Sequence, residues 1–571
     1  MKRNNKIYLR LFAIIIPAYL LSCQKKLDQI PQTSISDANF WKTTNDLSLA
    51  CNYLYSYLPG LAANDPSGNP YPYQDQYSEI AYNVNGPNAI SNGSRLAPAT
   101  SGEWSGFYRL IRAANNILEK SVTVAGDQPT INKYLGEARF FRAWGYFELV
   151  KRFGDVPYID RTLTTSDTLL YSSRTPREVV IDSVYADLDF AAANCPMPDA
   201  QPSAEYGRIP STAATAFKSR VALFEGTWDK FHSEGNASKH LQVAIDASST
   251  VMNSGKHSLF TYAAQQDSSY YYLFQYQNAS TQQNYTYSTN HEIILPRLYG
   301  QNQTNNISSH SYARGSVTDG GIAATRGFID MYLYKDGLPV GKSPYDSSLM
   351  ETSTLTQFRN RDPRIGMTIM NKNQWYPSIT GIHLYQPGLI YHTRKYGTIL
   401  DFTAGVSFIN FIVIRYAEVL LNYAEATFEL NGSISDGDLD ATINLLRNRT
   451  TNNNPALLPQ LTNNFVASNG LDMRAQIRND RTVELAFEGF HYWDIIRWKT
   501  AENILPNTLL GPKYFPDEMK NVPSAQYDPN GFVIVEDASK RSFKPQRDYL
   551  WPLPTKELGL NAKLTQNSNW Q

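Results

Sequence analysis

Alanine recurs among large apolar residues at helical spacing in five stretches of the chain. They read WSGFYRLIRAANNILEK (104–120), YLGEARFFRAWGYFELVKRFG (134–154), STAATAFKSRVALFEGTW (211–228), FIVIRYAEVLLNYAEATFEL (411–430) and ATINLLRNRT (441–450). Apolar positions three and four apart mark one buried face of a helix. Small residues at that spacing let a neighbouring helix approach, and aromatics one turn away fill the gaps. That is the packing logic of tetratricopeptide-type helix pairs. The copies are unevenly spaced, so the pattern predicts an interrupted array of helix pairs in a mainly α chain.

Two long stretches break the pattern. Leu61 to Ser101 is rich in Asn, Gly, Pro and Tyr, with YPYQDQY at 71–77. Phe260 to Gly321 is polar and tyrosine-rich, and contains a strand-like EIIL at 292–295. Loops of this length in a compact protein carry function or lack order, so a binding surface is expected there.

The N-terminus has its own pattern. Lys2, Arg3, Lys6 and Arg10 precede the apolar run Leu11 to Leu21, which at about eleven residues falls short of the roughly twenty needed to span a bilayer. Leu20-Leu21-Ser22-Cys23 then resembles a bacterial lipoprotein cleavage box, although Leu21 is bulkier than that pattern prefers. Cys23 would take the lipid on its thiol, and residues 1–22 would be the removed signal peptide. An ordinary secretory signal with an incidental cysteine is the competing reading. The polar tether from Gln24 leads to a helix start expected at Ser36 or Asp37.

Composition narrows the function. The 571 residues carry 52 basic and 52 acidic side chains, a balance that argues against nucleic-acid binding. Thirty-eight tyrosines and a charged fraction of 18% suit recognition of neutral, polar, flat-faced ligands, unless most of those rings are interior. Cys51 and Cys195, the two cysteines besides Cys23, are too few for a disulfide framework in so long a chain.

Several motifs imitate chemistry. In RTVELAFEGFHYWDIIRWK (481–499), Glu484, Glu488 and His491 share a helical stripe, and Glu488 to His491 has the E-x-x-H spacing of carboxylate-bridged metal sites. Such a site needs a second E-x-x-H, and the sequence has one only. The apolar stripe Val483, Phe487, Phe490 and Trp493, with ion pairs expected at Arg481–Glu484 and Asp494–Arg497, makes the segment a docking helix. Gly337 to Ser343 has three residues between its glycines where a phosphate-binding loop has four. Asp436, Asp438 and Asp440 begin a calcium-like loop that lacks its glycine and closing glutamate, and a helix cap before ATINLLRN accounts for them better. His291-Glu292 lacks the second histidine of a zinc protease. No metal or cofactor set is therefore expected. The two carboxylates of a glycosidase need only lie roughly 5–10 Å apart in space, so sequence spacing leaves that class open.

Several motifs together resemble the SusD/RagB family of outer-membrane nutrient-binding lipoproteins. They are KKLDQIPQTSISDANFWKT after Cys23, ARFFRAWGYFELVKRFGDVPYI at 138–159, FRNRDPRIGMTI at 358–369, FIVIRYAEVLLNYAEA at 411–426, the 481–498 segment and YLWPLPTKELGLNAKLTQNSNW at 549–570. His491 stands where the family pattern has arginine. The resemblance implies a helical region over 23–230 and a C-terminal region over 260–571. Tetratricopeptide-like helix pairs would form an α-superhelical scaffold beneath an irregular, loop-rich domain with a few short strands. It implies a lipid anchor in the outer membrane, a SusC-type TonB-dependent transporter as partner, and a glycan or peptide ligand captured without catalysis. By the family's layout the ligand surface would include Tyr82, Asn83, Asn88, Tyr299, Tyr312 and Arg314, with Trp375-Tyr376 a lesser candidate. Residues 83–101 contain no aromatic ring, which argues against a broad stacking platform for starch. A helical glycosidase and a scaffold that binds only proteins are the rival classes.

Overall fold

The computed structural model describes residues 40–62, 66, 68–300, 309–313, 321–346, 350–372, 374–378, 381–385, 388–398, 401, 406–451, 457–520, 522 and 524–570. Cys23, the expected helix start at Ser36 or Asp37, and Arg314 lie outside them.

The longer helices are α1 (Thr44–Leu54), α2 (Gly102–Lys120), α3 (Gln128–Phe153), α4 (Arg177–Asn194), α5 (Ser211–His232), α6 (Ala237–Asn253), α7 (Tyr416–Asn431), α8 (Ile443–Thr451), α9 (Met473–Leu485) and α10 (His491–Arg497). Local chemistry sets their ends. The Ser101 hydroxyl accepts the Trp104 amide to open α2, and the Asp127 carboxylate accepts the Thr130 amide to open α3. Gly154, at φ 71°, closes α3. Along the array α2 packs on α3, α3 on α4, α5 on α6 and α6 on α7, the pairwise stacking that the alanine pattern implies. The close approach is tangible at Gly145, where an added Cβ would sit 2.9 Å from Ile111 on α2. One apolar cluster runs from Trp41 to Leu553 and binds these helices together. Among the described residues no helix is long and apolar enough to cross a membrane.

The strands are short: β1 (Ala81–Tyr82), β2 (Ile293–Arg297), β3 (Ala323–Ala324), β4 (Trp375–Ser378), β5 (Gly381–Leu384), β6 (Tyr391–His392), β7 (Phe411–Arg415), β8 (Leu509–Lys513) and β9 (Phe532–Glu536). They form a β1-β3-β6 sheet and three antiparallel pairs, β2-β7, β4-β5 and β8-β9. The EIIL strand is therefore present, and its partner was hidden inside an expected helix. FIVIR at 411–415 is strand because its β-branched residues are buried against β2, and the helix begins only at Tyr416. Trp375 and Tyr376 belong to a hairpin, Trp375 opposite Leu384 and Tyr376 opposite His383, and not to a loop.

The single helix expected over 481–499 is two. Between α9 and α10 the chain turns, with Phe487 at φ 59° and Gly489 at φ 82°. Glu484, Glu488 and His491 consequently share no helical stripe. A side chain at Gly489 would also meet Tyr71 at 2.8 Å. Asp494 pairs with Arg497 as expected, but Arg481 donates to Asp494 at 2.9 Å and not to Glu484. The three aspartates at 436–440 form a short helix capped by Ser435. In the glycine loop at 337–343, Lys342 donates to the Gly470 carbonyl at 2.6 Å, so its ammonium serves the fold.

Candidate functional site

The charged residues of the family-like motifs meet in the interior. Arg415, at the end of β7, donates to Glu484 and Glu488 at 2.8 Å each and to Glu292 at 3.0 Å. Arg449 of α8 also pairs with Glu292 and Glu484, and Lys395 donates to Glu488 at 2.8 Å. Arg364, from the Asn-Arg-Asp-Pro-Arg stretch, joins Asp362, Asp480 and Glu484, and Arg447 joins Asp480. Burial raises Glu484, but Arg449, Arg415 and Arg364 outweigh it and hold the carboxyl far below its usual range. A carboxylate locked among guanidinium groups is an anchor, so the E-x-x-H is architecture. His491 turns away from Glu488 and meets Glu79 at 2.8 Å.

That turn supports the first long insertion. The amides of Phe487, Gly489 and His491 donate to the buried Asp75 carboxylate, the first at 2.7 Å and the last at 3.1 Å. Trp493 donates its indole N–H to Gln74 at 2.7 Å. Asp75 lies in the 3₁₀ segment Tyr71–Tyr77, whose sequence is the tyrosine cluster, and β1 follows directly. Downstream, Ser542 and Arg541 donate to the Asn92 and Ser91 carbonyls, and Thr555 to Pro98. The insertion is thus a fastened platform.

On it opens a cleft of about 400 Å³. Its walls are the 82–91 loop, Leu389 and Ile390 before β6, and the β8-β9 hairpin with Asp537 and Lys540. Tyr82, Ala323 and Leu509, with Val84, Ile390 and Val535 against them, form a small apolar cluster at this place. Burial pushes the Tyr82 phenol far up, so the ring stays neutral at any physiological pH. Amides complete the lining. Asn83 and Asn88 accept the Asn85 and Ile90 amides on Oδ1, and among the described residues neither Nδ2 has a protein partner. Gln76 is 4% exposed, and its Oε1 has no hydrogen-bond partner among the described residues. Glu536 at the edge is neutralised by Arg541 and receives the Asn92 amide at 3.3 Å.

Of the residues expected at the ligand surface, the structure brings Tyr82, Asn83 and Asn88 together in this cleft. Tyr299 and Tyr312 do not line it. Tyr299 is 1% exposed, and its hydroxyl accepts the Leu61 amide at 2.8 Å. Tyr312 is buried against Tyr73 and Tyr396. Both rings hold the insertion from beneath.

A sequence model described as the SusD family matches residues 258–570, more than half of the chain. The chain belongs to the SusD family. A second model, described as starch-binding associating with outer membrane, matches residues 50–223. SusD-like protein P2 of Formosa agariphila is 24% identical over 97% of this chain and 98% of its own length. SusD-like protein P38 of the same organism is 24% identical over 88% and 94%. A solved SusD-like carbohydrate binding protein from Bacteroides fragilis shares the fold with a TM-score of 0.73 at 25% identity, over 92% of this chain and all of that one. Another solved structure, described as with xylogluco-oligosaccharide, has a TM-score of 0.62 at 20% identity over 90% of this chain and 97% of that one.

Membership places this SusD-family protein among binding proteins and removes the hydrolase class. Sequence reasoning missed Gln76, Ile390 and the β9 side of the cleft. Gln76 lies in the first insertion, where a binding surface is expected, but nothing local singles it out from its neighbours, and β9 lies some 450 residues beyond the 82–91 loop. No local pattern links positions so far apart.

Proposed function

We propose that this SusD-family protein captures a neutral glycan in the Tyr82–Asn88 cleft and passes it to a SusC-type TonB-dependent transporter. A lipid on Cys23 would hold it at the outer membrane. The observation that carries this reading is the pair of side-chain amides, Asn83 and Asn88, that line the cleft with no protein partner for Nδ2 among the described residues. The apolar patch from Tyr82, Val84 and Val535 suits the C–H faces of a sugar ring. At the edge Glu536 is paired with Arg541, and Asp537 and Lys540 carry opposite charges, which disfavours strongly ionic ligands. Relatives described as carbohydrate binding, and one as with xylogluco-oligosaccharide, support the ligand class. The cleft offers amides and one mostly buried phenol, and not a wide aromatic shelf, so hydrogen bonds to a short or branched oligosaccharide would dominate over stacking on a long starch helix.

Isothermal calorimetry of the purified chain tests this. The titrants are neutral oligosaccharides, xyloglucan fragments included, acidic oligosaccharides and peptides, with product analysis of each mixture. Saturable heat with a neutral glycan recovered intact is the expected result. Saturation by peptides alone would transfer the cleft to the peptide-capturing alternative, and recovered fragments would overturn non-enzymatic capture.

A further inference from the structure

Away from the cleft, α4, α5 and α6 bring three side chains to one point. His240, in the first turn of α6, is fully buried. Its Nε2 lies 2.9 Å from Glu178 Oε2, in the first turn of α4, and 3.7 Å from Asp229 Oδ2, near the end of α5. One donor atom from each residue falls within 4.8 Å of the others. We propose that Glu178, Asp229 and His240 form a binding site for a divalent transition-metal ion of the Zn²⁺ kind, which fastens the three helices together.

Four observations support it. The first is spacing: donors each about 2.1 Å from a tetrahedral ion lie roughly 3.4 Å from one another, and the 2.9 Å and 3.7 Å separations straddle that distance. The second is orientation. His240 Nδ1 is 2.7 Å from the Tyr185 hydroxyl. With Nε2 on a metal, Nδ1 carries the proton and donates it to that hydroxyl, the outer-shell contact that holds ligating histidines in place.

The third is charge. Around His240 stand Glu178, Asp182, Glu225 and Asp229, while the nearby cations are Lys239, bonded to Glu178 and Asp182, and Arg177, bonded to Glu225. Two negative charges are left over, which matches one divalent ion. Other buried carboxylates of this helical array face a guanidinium group, as Glu137 does with Arg208, Asp187 with Arg142 and Glu418 with Arg220. Among the described ion pairs Asp229 faces only His240. The fourth is access. Asp229 and His240 are enclosed, but the Glu178 side chain is 38% exposed, which leaves an entry path and room for water as a fourth ligand. The imidazole favours a zinc-like ion over calcium or magnesium, which prefer oxygen sets.

The test is a Zn²⁺ titration of the chelator-treated full chain by calorimetry, with thermal melts and the visible spectrum of the Co²⁺ form. Expected are saturation at one equivalent, a raised Tm, and a Co²⁺ absorption band of tetrahedral intensity. Glu178→Gln, at a partly exposed position that leaves the fold intact, should weaken Zn²⁺ binding about 10- to 100-fold, and His240→Gln should abolish it. Glycan affinity should not change in either variant, because none of the three residues lines the cleft. No saturable Zn²⁺ binding by the wild-type chain, undiminished binding by Glu178→Gln, or equal binding of Mg²⁺ and Ca²⁺ would each overturn the proposal.

Discussion

Single residues in this protein divide into those whose hydrogen bonds are complete and those left waiting. The Asp75 carboxylate accepts three backbone amides, whereas Gln76 beside it has a buried oxygen with no partner among the described residues. Gln76→Leu keeps the volume and removes the orphan acceptor. It should leave Tm unchanged or slightly raised, and because that oxygen is sealed from the cleft it should leave glycan affinity within about twofold. Calorimetry beside a thermal melt reads both effects, and a clearly lowered Tm would show that the oxygen has a partner after all. The same contrast governs the motif residues: Glu484 and Glu488 are fully engaged by Arg and Lys partners, which is why neither can act as a general acid or base.

Among the elements, the decisive one is the turn between α9 and α10. Its positive-φ residues free three amides that a continuous helix would have used internally, and Asp75 takes them up. The turn and the first insertion therefore stabilise each other across some 410 residues of chain. Asp75→Ala should leave those amides without an acceptor and loosen the platform under Tyr82. Limited proteolysis should then cut within 61–101 in the variant and not in the wild type, and glycan affinity should fall with it. Equal protease resistance in both would show that the contacts from Ser542, Arg541 and Thr555 suffice to hold the insertion.

For the whole molecule, the buried ion network sets the response to pH. Burial raises Glu425, but Arg497, Arg481 and Arg478 outweigh it and hold the carboxyl at about 2. Glu488 and Asp480 are likewise depressed by their Arg and Lys partners against the effect of burial. Groups depressed on folding stabilise the native state above their unfolded values, near 4, and that stability is lost as pH falls through the folded values. Asp75 and Asp229 act oppositely: burial lifts each to about 6, so proton uptake between pH 6 and 4 favours the folded state. A pH series of melts should show Tm level or rising from pH 7 to about 5, then falling steeply below 4. At the same scale, Cys23→Ser should move the expressed protein from the membrane fraction to the soluble fraction, as read by detergent phase partitioning, if a lipid on that thiol is the anchor.

The sequence by itself determined the helical array, because alanine spacing, apolar periodicity and capping residues such as Ser101 and Asp127 act within a few residues of one another. It also determined which charged residue types sit at the motifs, and the family resemblance, not local pattern, pointed to Tyr82, Asn83 and Asn88, which the structure brings together in one contiguous loop of the cleft. Tertiary structure alone decided the rest. FIVIR became a strand because β2 lay beside it, and the 481–499 helix broke because Asp75 could satisfy its free amides. Arg481 pairs with Asp494, across the break on α10, while Glu484 on its own helix is taken by Arg415, Arg449 and Arg364. The cleft joins Gln76 to β9, and Glu178, Asp229 and His240 come from three separate helices. Local periodicity says which face of an element is buried; which distant group a buried charge or amide meets depends on how the elements pack.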